Sequence, residues 1–388
     1  TQKATARDVT TGQEREIVAS PLTNFNVLVL DQNLKNNSSV TFTNTHVFRA
    51  GSFYDATVTG LDVKLNTKTN NYGVVSWLNV SGKYDSQKQT FGHTTGIDFR
   101  KQTGSFTFNT IYWEESNTFD PNDLGFNTVN NKRIFNQRFS YRIFKPFWKL
   151  NRLNTSIDFV YNRLYSPNVY TSTEVNWSLF VNSKRFHAAG LNVNSSVTKS
   201  YDYFEPRTWG SYFVVPRWYG GGGWISTNYQ KPLAIDANFY YVGFSRNSQW
   251  KNLNFSLSPR IRLSKKMLLV AEWSLEQQLN DRGFAVQFSS PVDNVNGILF
   301  GERDRTNLSQ FLEFNYTITN RMNLSLRTRH YWSVLEYHDF FTLNADGSLS
   351  PNGTLGLDAQ GNSAFNLNYN ALTIDCAYRW VVKQGSEL

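Results

Sequence analysis

The side chains best suited to nucleophilic or acid–base chemistry are few in this sequence, and they are scattered. Histidine stands at five widely separated positions, His46, His93, His187, His330 and His338. There is no G-x-S-x-G nucleophile motif. An acid–base site would require residues such as Glu272, Glu276 or His338 to converge, and polar surface near a loop is the simpler interpretation of His338 and its neighbour Asp339. The sequence therefore predicts neither an enzyme nor a cofactor.

Cys376 is the single cysteine, so it forms neither an internal disulfide nor a zinc cluster. It shares the apolar parity of its segment, and we interpret it as a small hydrophobic residue.

Four loop-like stretches contain residue types that bind ions or sugars. The stretches "FDPNDLGFN" (119–127) and "NADGSLSPNG" (344–353) offer oxygen ligands of the kind calcium takes, but neither has the spacing of a known calcium loop, and turn formation explains both. The stretch "RWYGGGGW" (217–224) resembles a phosphate loop without its Lys and Ser/Thr, so we expect a strand whose glycines allow curvature or a close approach. The stretch "YDYFEPRTWGSYF" (201–213) suits stacking on a sugar, with interfacial anchoring as the alternative.

Strands must position all of these residues, because the polarity of the sequence alternates. In "LNFSLSPRIRLSKK" (253–266), Leu253, Phe255 and Leu257 share one parity, and Asn254 and Ser256 share the other. Successive side chains of an extended backbone leave from opposite faces, so this pattern predicts a strand with one apolar and one polar face. In a soluble sheet the apolar face covers a core, whereas in a membrane barrel it meets lipid.

The same pattern recurs in seventeen segments, and tight connections alternate with longer ones. Turns such as "LKNNS" and "TKTNN" alternate with long stretches at 281–302 and 344–363, and a phase slip at Gly60–Leu61 predicts a β-bulge. Short turns at one end and long loops at the other are typical of an outer-membrane barrel. The segments are 22–33, 38–49, 53–66, 72–84, 90–102, 105–116, 133–145, 151–164, 170–183, 187–201, 211–229, 233–246, 251–264, 267–280, 303–319, 322–341 and 365–382.

The predicted fold is therefore all-β, a large antiparallel up-and-down transmembrane β-barrel with about 17 strands in this segment. Its apolar faces would meet outer-membrane lipid, and tryptophans would form aromatic girdles at the interfaces. The mean hydropathy of −0.47 does not argue against a membrane, because barrel strands are half polar. The net charge is +9, but the basic residues are dispersed, so no nucleic-acid partner is predicted. The candidate girdle residues are Trp77, Trp113, Trp177, Trp273, Trp332 and Trp380.

The charges on the inward parity are nearly balanced, which does not indicate a strongly charge-selective pore. Either they line a wide, wet channel, or they pair across an interior closed by loops or by another domain. Ten candidate lumen-lining residues are basic: Lys64, Arg100, Arg138, Arg142, Arg246, Arg260, Arg262, Arg327, Arg329 and Arg379. Nine are acidic: Asp62, Asp98, Asp158, Glu174, Asp236, Glu272, Glu276, Glu313 and Asp375.

Several blocks of the sequence resemble an uncharacterised family of Bacteroidota outer-membrane proteins. They are "TNFNVLVLDQNLKNNSSVTFTNTHVFR" (23–49), "YDATVTGLDVKLN" (54–66), "FDPNDLGF" (119–126), "RMNLSLRTRHYWSVLEYHDFFTLNADGSL" (321–349) and "YRWVVKQGSEL" (378–388). The resemblance implies a C-terminal barrel preceded by a family-9-like carbohydrate-binding β-sandwich, and it implies no activity for particular residues.

Two departures from the family lead to an expectation about the intact protein. The sandwich is absent from this segment, and the family usually continues past "GSEL" with a further hairpin. Residues 1–388 are therefore expected to form a single barrel domain that lacks an N-terminal domain and a final C-terminal hairpin, in an intact barrel of about 18–20 strands.

Two functions fit these features. The first is a channel or uptake protein of the bacterial outer membrane for small polar solutes or glycans. The alternative is a non-conducting structural or assembly subunit of a larger outer-membrane complex, which would bind other envelope proteins. The substrate and the state of the lumen, open or plugged, are left undetermined by the sequence.

Overall fold

Extended segments follow one another through the chain in a computed structural model that describes residues 1–245, 249–290, 295–352, 365–383 and 386–387. Within these ranges, no helix is long and apolar enough to span a membrane. The strands are β1 Gln2–Arg7, β2 Glu14–Ser20, β3 Thr23–Leu34, β4 Ser38–Arg49, β5 Asp55–Asn66, β6 Tyr72–Tyr84, β7 Gln89–Lys101, β8 Phe106–Glu115, β9 Lys132–Ile143, β10 Leu150–Arg163, β11 Tyr170–Ser183, β12 Ala188–Ser196, β13 Ser200–Asp202, β14 Phe213–Val215, β15 Trp218–Ser226, β16 Leu233–Phe244, β17 Lys251–Arg262, β18 Met267–Ser290, β19 Val295–Thr319, β20 Met322–Leu343, β21 Leu349–Pro351, β22 Leu367–Lys383 and β23 Ser386–Glu387.

The pairing of these strands confirms the predicted fold class, an all-β, large, antiparallel, up-and-down sheet. Each of the seventeen predicted segments contains a strand, and most strands pair antiparallel with the strand that precedes or follows them in the chain. Two further pairs, β1–β2 and β13–β14, form small separate sheets.

One compact unit comprises residues Thr1–Phe139 and Phe159–Tyr170. Its strands β3 to β8 pair antiparallel with their sequence neighbours, each in continuous register. Asparagine makes its tight turns possible: Asn36 and Asn37 have φ values of 61° and 56°, and Asn70 has a φ of 55°. Asparagine tolerates this left-handed region because its short side chain bonds locally, which explains the asparagine-rich connections.

The second unit comprises residues Ser140–Asp158 and Thr171–Leu388. Strand β12 pairs with β15, past the β13–β14 hairpin, and the sheet continues through β16, β17, β18, β19 and β20 to β22. Strands β18, β19 and β20 are unusually long, at 24, 25 and 22 residues.

The prediction of a long loop at 281–302 is wrong for the residues that the structure describes. Strand β18 continues to Ser290 and β19 begins at Val295, whereas 291–294 lie outside the described residues. Register shifts between Gln278 and Asp281 and between Phe284 and Val286 break the alternation there. A bulge moves following side chains to the other face, so the period-two pattern fails although the strand continues.

The predicted bulge at Gly60–Leu61 is also wrong, since β5 stays in register with both β4 and β6. Val58 looked out of phase because it is an apolar residue on the otherwise polar face of its strand. It lines a small cavity with Pro121 and Leu124 of the β8–β9 loop, and this local contact accounts for the apolar side chain.

Each unit has one sheet face on which large apolar side chains are exposed. In the first unit they include Leu61, Leu78, Phe91, Ile97 and Phe99. In the second they include Leu191, Val193, Phe239, Phe255, Leu312, Leu326, Leu372 and Ile374, of which the last two are 62% and 63% exposed. We call this face the apolar face and the opposite one the polar face.

Two of the four glycines of β15, Gly220 and Gly222, make room for a neighbouring side chain on the polar face. A Cβ atom at Gly222 would lie 2.2 Å from the carbonyl oxygen of Phe239 and 2.8 Å from the Cα of Tyr240. Tyr240 also approaches the Cβ position of Gly220, and its hydroxyl donates a hydrogen bond of 2.9 Å to Asn194 Oδ1 on β12. These glycines thus permit a close approach by a side chain of the adjacent strand, whereas the sequence suggested curvature or the approach of an interior element.

We predict that Gly222→Ala destabilises the protein and that Gly221→Ala does not. A Cβ at Gly222 meets backbone atoms that cannot turn away, and such overpacking costs about 1–3 kcal/mol. At Gly221 the nearest atom would be Asn192 O at 3.4 Å, an ordinary contact. Thermal unfolding of the detergent-solubilised variants by circular dichroism checks this. Equal melting temperatures for the two variants would contradict it.

Candidate functional site

Several predicted lumen-lining charges pair across strands on the polar face of the second unit. Arg329 Nη2 lies 2.6 Å from Asp375 Oδ2, between β20 and β22, and Arg327 Nη2 lies 3.4 Å from Glu313 Oε2, between β20 and β19. Both arginine side chains remain about half exposed, so water screens these pairs and each contributes little stability. Their arrangement gives a solvated and charge-balanced surface.

The other predicted lumen-lining residues do not gather at one point. In the first unit Arg100 pairs with Asp98 at 2.5 Å. In the second, Glu276 lies 4.0 Å from Arg305, and Asp236 accepts a hydrogen bond from the Tyr229 hydroxyl. Arg260 lies over the Tyr229 ring, and Glu174 is within 3.4 Å of Ser172 Oγ. Contacts are also made by Arg138, Asp158 and Arg379. The side chain of Arg142 is half-buried, and exposed side chains belong to Lys64, Arg262 and Glu272. One predicted residue, Arg246, lies outside the described residues.

Two of the six candidate girdle tryptophans face the wrong way for that role. Trp77 lies across Gly96, whose Cβ would be 2.2 Å from the indole ring, and Trp113 Nε1 donates to Thr94 Oγ1 at 2.9 Å. Both rings therefore belong to the polar face. The prediction was wrong because a large aromatic ring was assumed to face lipid. The ring of Trp77 instead fills the space above Gly96, a glycine of the next strand. The remaining four, Trp177, Trp273, Trp332 and Trp380, share the apolar face.

In the first unit, the β8–β9 loop is held against the strands by ionic contacts. Asp123 Oδ1 lies 2.5 Å from Arg49 Nη2 and accepts a 2.9 Å hydrogen bond from the Tyr54 hydroxyl. Lys83 Nζ lies 2.6 Å from Asp120 Oδ2. Asp123 is only 8% exposed at its side chain, so its partners are essential to it, because an unpaired buried carboxylate is costly.

The electrostatics of this loop favour its docked position. Burial raises the pKa of Asp120, but hydrogen bonds from Lys83 and from the Asn122 amide outweigh it and hold that pKa below its usual value. Burial, followed by the hydrogen bond to Asp123, raises the pKa of the Tyr54 hydroxyl. At neutral pH the Asp120 carboxylate is therefore charged and the Tyr54 phenol is neutral, as these contacts require.

In the second unit, the loop at 203–212 docks onto the extended ends of β18, β19 and β20. Glu205 Oε1 accepts a 2.7 Å hydrogen bond from the Phe284 amide and lies 3.9 Å from Arg303 Nη2. Arg303 also donates to Asp281 Oδ2 and to the Tyr337 hydroxyl, both at 3.0 Å. Four segments thus meet at one guanidinium, which can donate in several directions at once.

An apolar cluster anchors the same loop next to this network. Phe213 is 4% exposed and packs on Ile298 and Phe300, its ring 5.0 Å from that of Phe300. Arg207 lies over the Phe284 ring at 4.6 Å. The loop is therefore held by burial as well as by charge.

Sequence reasoning missed this network because two of its parts fell in segments interpreted as loops. Asp281 lies in the predicted loop 281–302 and Glu205 lies in the aromatic stretch 201–213, whereas Arg303 is the first residue of the predicted strand 303–319. A usable signal was the renewed polar alternation of "GERDRTN" after the apolar "GILF". Asp120 and Asp123 were interpreted as turn formers, which left their long-range partners unidentified.

The residues considered for acid–base chemistry have separate neighbours in the structure. His338 Nε2 lies 3.2 Å from Asp304 Oδ2, whereas Glu276 lies near Arg305. Asp304 and Arg305 are consecutive in β19 and so belong to opposite faces. In the described ranges, no group of three or more His, Cys, Asp or Glu is placed to hold a metal ion.

Comparison with known proteins gives a family match and two distant structural similarities. A family model described as a domain of unknown function (DUF5916) matches residues 1–388. A mutant of the ferric enterobactin receptor PfeA of Pseudomonas aeruginosa, in complex with enterobactin, has 9% identity and a TM-score of 0.43, covering 94% of this chain and 72% of that chain. The outer membrane transporter YddB of Escherichia coli has 8% identity and a TM-score of 0.40, covering 92% and 61%. No curated protein matches the sequence.

We predict that docking of the 203–212 loop weakens as the pH rises. Burial raises the pKa of Glu205, against the opposing effects of the Phe284 amide and Arg303, while Asp202 and Asp281 raise it further. A carboxyl that binds its proton more tightly when docked favours docking below the ordinary glutamate pKa of about 4.3, and this contribution is lost as the pH rises through the raised value. Hydrogen–deuterium exchange of residues 203–212, corrected for its intrinsic rate, should increase over that window.

Glu205→Gln is the informative variant, because its amide oxygen still accepts from Phe284 and does not titrate. Its exchange should be independent of pH, whereas Asp8→Asn, in the exposed β1–β2 hairpin, should behave as the wild type. A wild-type loop whose exchange does not change with pH, or a Gln variant that keeps the change, contradicts the prediction.

Proposed function

The chain belongs to the family described as a domain of unknown function (DUF5916), and from that premise we propose that it is an outer-membrane β-barrel protein for the uptake of small polar solutes or glycans. The family supplies no activity, so the proposal rests on the two faces of the strands.

The apolar face supports a membrane location. Leu372, Ile374 and Tyr378 alternate along β22 and are at least half exposed, and equivalent residues recur on the other strands. A large apolar side chain that stays in water instead of being buried loses about 1.5–3 kcal/mol of stabilising free energy. Repeated over many strands this cost is prohibitive in water and absent in hydrocarbon, where antiparallel strands with paired backbones are stable. This alternation of exposed apolar and paired polar residues is the single observation that carries the proposal.

The polar face supports passage of solutes. Its charges are arranged in solvated pairs such as Arg329–Asp375, which are compatible with water on that side of the sheet. Because acidic and basic residues are nearly balanced, we propose that the protein selects its solutes by size and hydrogen bonding rather than by charge.

The docked loops support a restricted passage. In each unit a loop is fixed to strands by a carboxylate, the buried Asp123 in one and the partly exposed Glu205 in the other. We propose that these loops narrow the path and that a solute displaces them or passes beside them. The same loops favour the second candidate function, a non-conducting structural or assembly subunit, if they stay docked permanently.

Further parts of the proposal concern location and partners. We propose the bacterial outer membrane, with Trp177, Trp273, Trp332 and Trp380 at its interfaces, and other envelope proteins and glycans as partners. We also propose a Bacteroidota source and a barrel of about 18–20 strands.

Conductance in planar lipid bilayers tests the proposal. We expect discrete steps for the purified protein, and larger or more frequent openings for Asp123→Asn, because the variant weakens the contact with Arg49. Asp85→Asn, in an exposed turn, is the matched control and should conduct as the wild type. Silence of all three proteins in bilayers where a known porin conducts would contradict transport and favour the structural role.

A further inference from the structure

A belt of uncharged side chains crosses the polar face of the second unit. Strand register aligns one residue from each of nine strands in a row that runs from Ser178 on β11 to Tyr369 on β22. This row contains serine, asparagine, glycine and tyrosine, and Glu276 is its one charged residue. The next row on the same face runs from Phe180 to Ala371 and contains no charged residue. We call the two rows the neutral belt.

Charged residues border the neutral belt on both sides. Arg305 is two residues from Asn307 of the first row, and Arg329 and Asp236 are each two residues from members of the second row, Tyr331 and Asn238. Alternate residues share a face, so these charges lie on the same surface and immediately outside the belt. A solute that reaches the belt thus leaves a charged surface and meets mainly amides, hydroxyls and aromatic rings, with the Glu276 carboxylate as the one charged group.

Two aromatic pairs lie within the belt. The rings of Tyr331 and Tyr369 are 6.0 Å apart, and these residues are 41% and 53% exposed. The rings of Phe180 and Trp224 are 5.9 Å apart, and Trp224 lies across Gly190. From β15 to β20 there are five strand spacings of about 4.8 Å, so the pairs are roughly 24 Å apart along the sheet. A ligand that contacts both pairs must be longer than a single sugar ring.

Amides and hydroxyls surround the exposed tyrosine pair. Asn307 Oδ1 accepts hydrogen bonds from Ser333 Oγ at 2.7 Å and from the Tyr331 hydroxyl at 3.5 Å, and Asn307 Nδ2 donates to Glu276 Oε2 at 3.3 Å. Amides and hydroxyls both donate and accept, as the hydroxyl groups of a sugar do. A charged ligand would find no counter-ion on most of this surface and would lose hydration without compensation.

From these features we propose that the neutral belt binds an uncharged oligosaccharide, with sugar rings stacked on Tyr331 and Tyr369 and sugar hydroxyls bonded to Asn307 and Ser333. The inference deepens the proposed uptake function by naming the class of solute and the residues that contact it. It is independent of the two docked loops.

Isothermal titration calorimetry of the full chain in detergent tests the inference, with maltohexaose, cellohexaose and mannohexaose as neutral probes and hexagalacturonate as the charged one. We expect at least one neutral probe to bind and the charged probe not to bind. The double variant Tyr331→Ala, Tyr369→Ala should weaken that binding at least about tenfold, or about 1.4 kcal/mol.

Two controls separate ring stacking from general damage. Tyr378→Ala removes a similarly exposed tyrosine from the apolar face of β22 and should leave affinity unchanged. Tyr331→Phe with Tyr369→Phe keeps both rings and should retain most of it. Each variant must show the thermal unfolding of the wild type.

The outcomes distinguish this inference from the proposed transport. Absence of binding by all neutral probes, equal binding of hexagalacturonate, or full affinity in the double alanine variant overturns the belt as a sugar site, even if the protein conducts. Neutral binding that depends on Tyr331 and Tyr369 supports the site, even if bilayers stay silent and transport fails.

Discussion

The strict alternation of side chains along an extended backbone is the constraint on which the rest of the structure depends. A residue can change its chemistry but not its face, so each strand distributes its sequence between two environments. On β22 this places Leu372, Ile374 and Tyr378 on one side and Asp375 on the other. A register slip of one residue would exchange the two sets, and the exposed apolar side chains make that slip expensive. The polar face can therefore carry ion pairs and amides without loss of strand register.

The two docked loops show different ways of fixing irregular backbone to a regular sheet. The β8–β9 loop relies on carboxylates whose cationic partners, Arg49 and Lys83, come from strands far away in sequence. The loop at 203–212 combines one carboxylate with the burial of Phe213, and its partners come from the longest strands. Charge gives each loop a defined position, while apolar contact in the second makes that position less sensitive to salt.

The sequence was sufficient to predict the seventeen main strands and their antiparallel pairing, because period-two polarity is a local signal, but it did not predict the small sheets β1–β2 and β13–β14. It failed where the signal was interrupted or ambiguous. Bulges hid the extension of β18, a contact with the β8–β9 loop made Val58 look misplaced, and Trp77 and Trp113 were assigned to lipid although they lie on the polar face. The partners of Asp123 and Glu205 were beyond reach, since pairings between distant segments depend on register and loop path. The neutral belt likewise becomes visible only when register aligns nine strands, and the assignment of the predicted charged residues to a common lumen stays a prediction.

The aromatic rings that lie over glycines join positions on adjacent strands into shared volumes. The ring of Trp77 occupies the place of a side chain at Gly96, and Trp224 does the same for Gly190. Neither member of such a pair is free to vary by itself: a bulkier residue at the glycine demands a smaller one opposite. Among relatives of this chain the side-chain sizes at the two positions should therefore change together, one becoming larger as the other becomes smaller. A sequence alignment that scores each position separately would count such a compensated pair of substitutions as two unrelated losses of conservation.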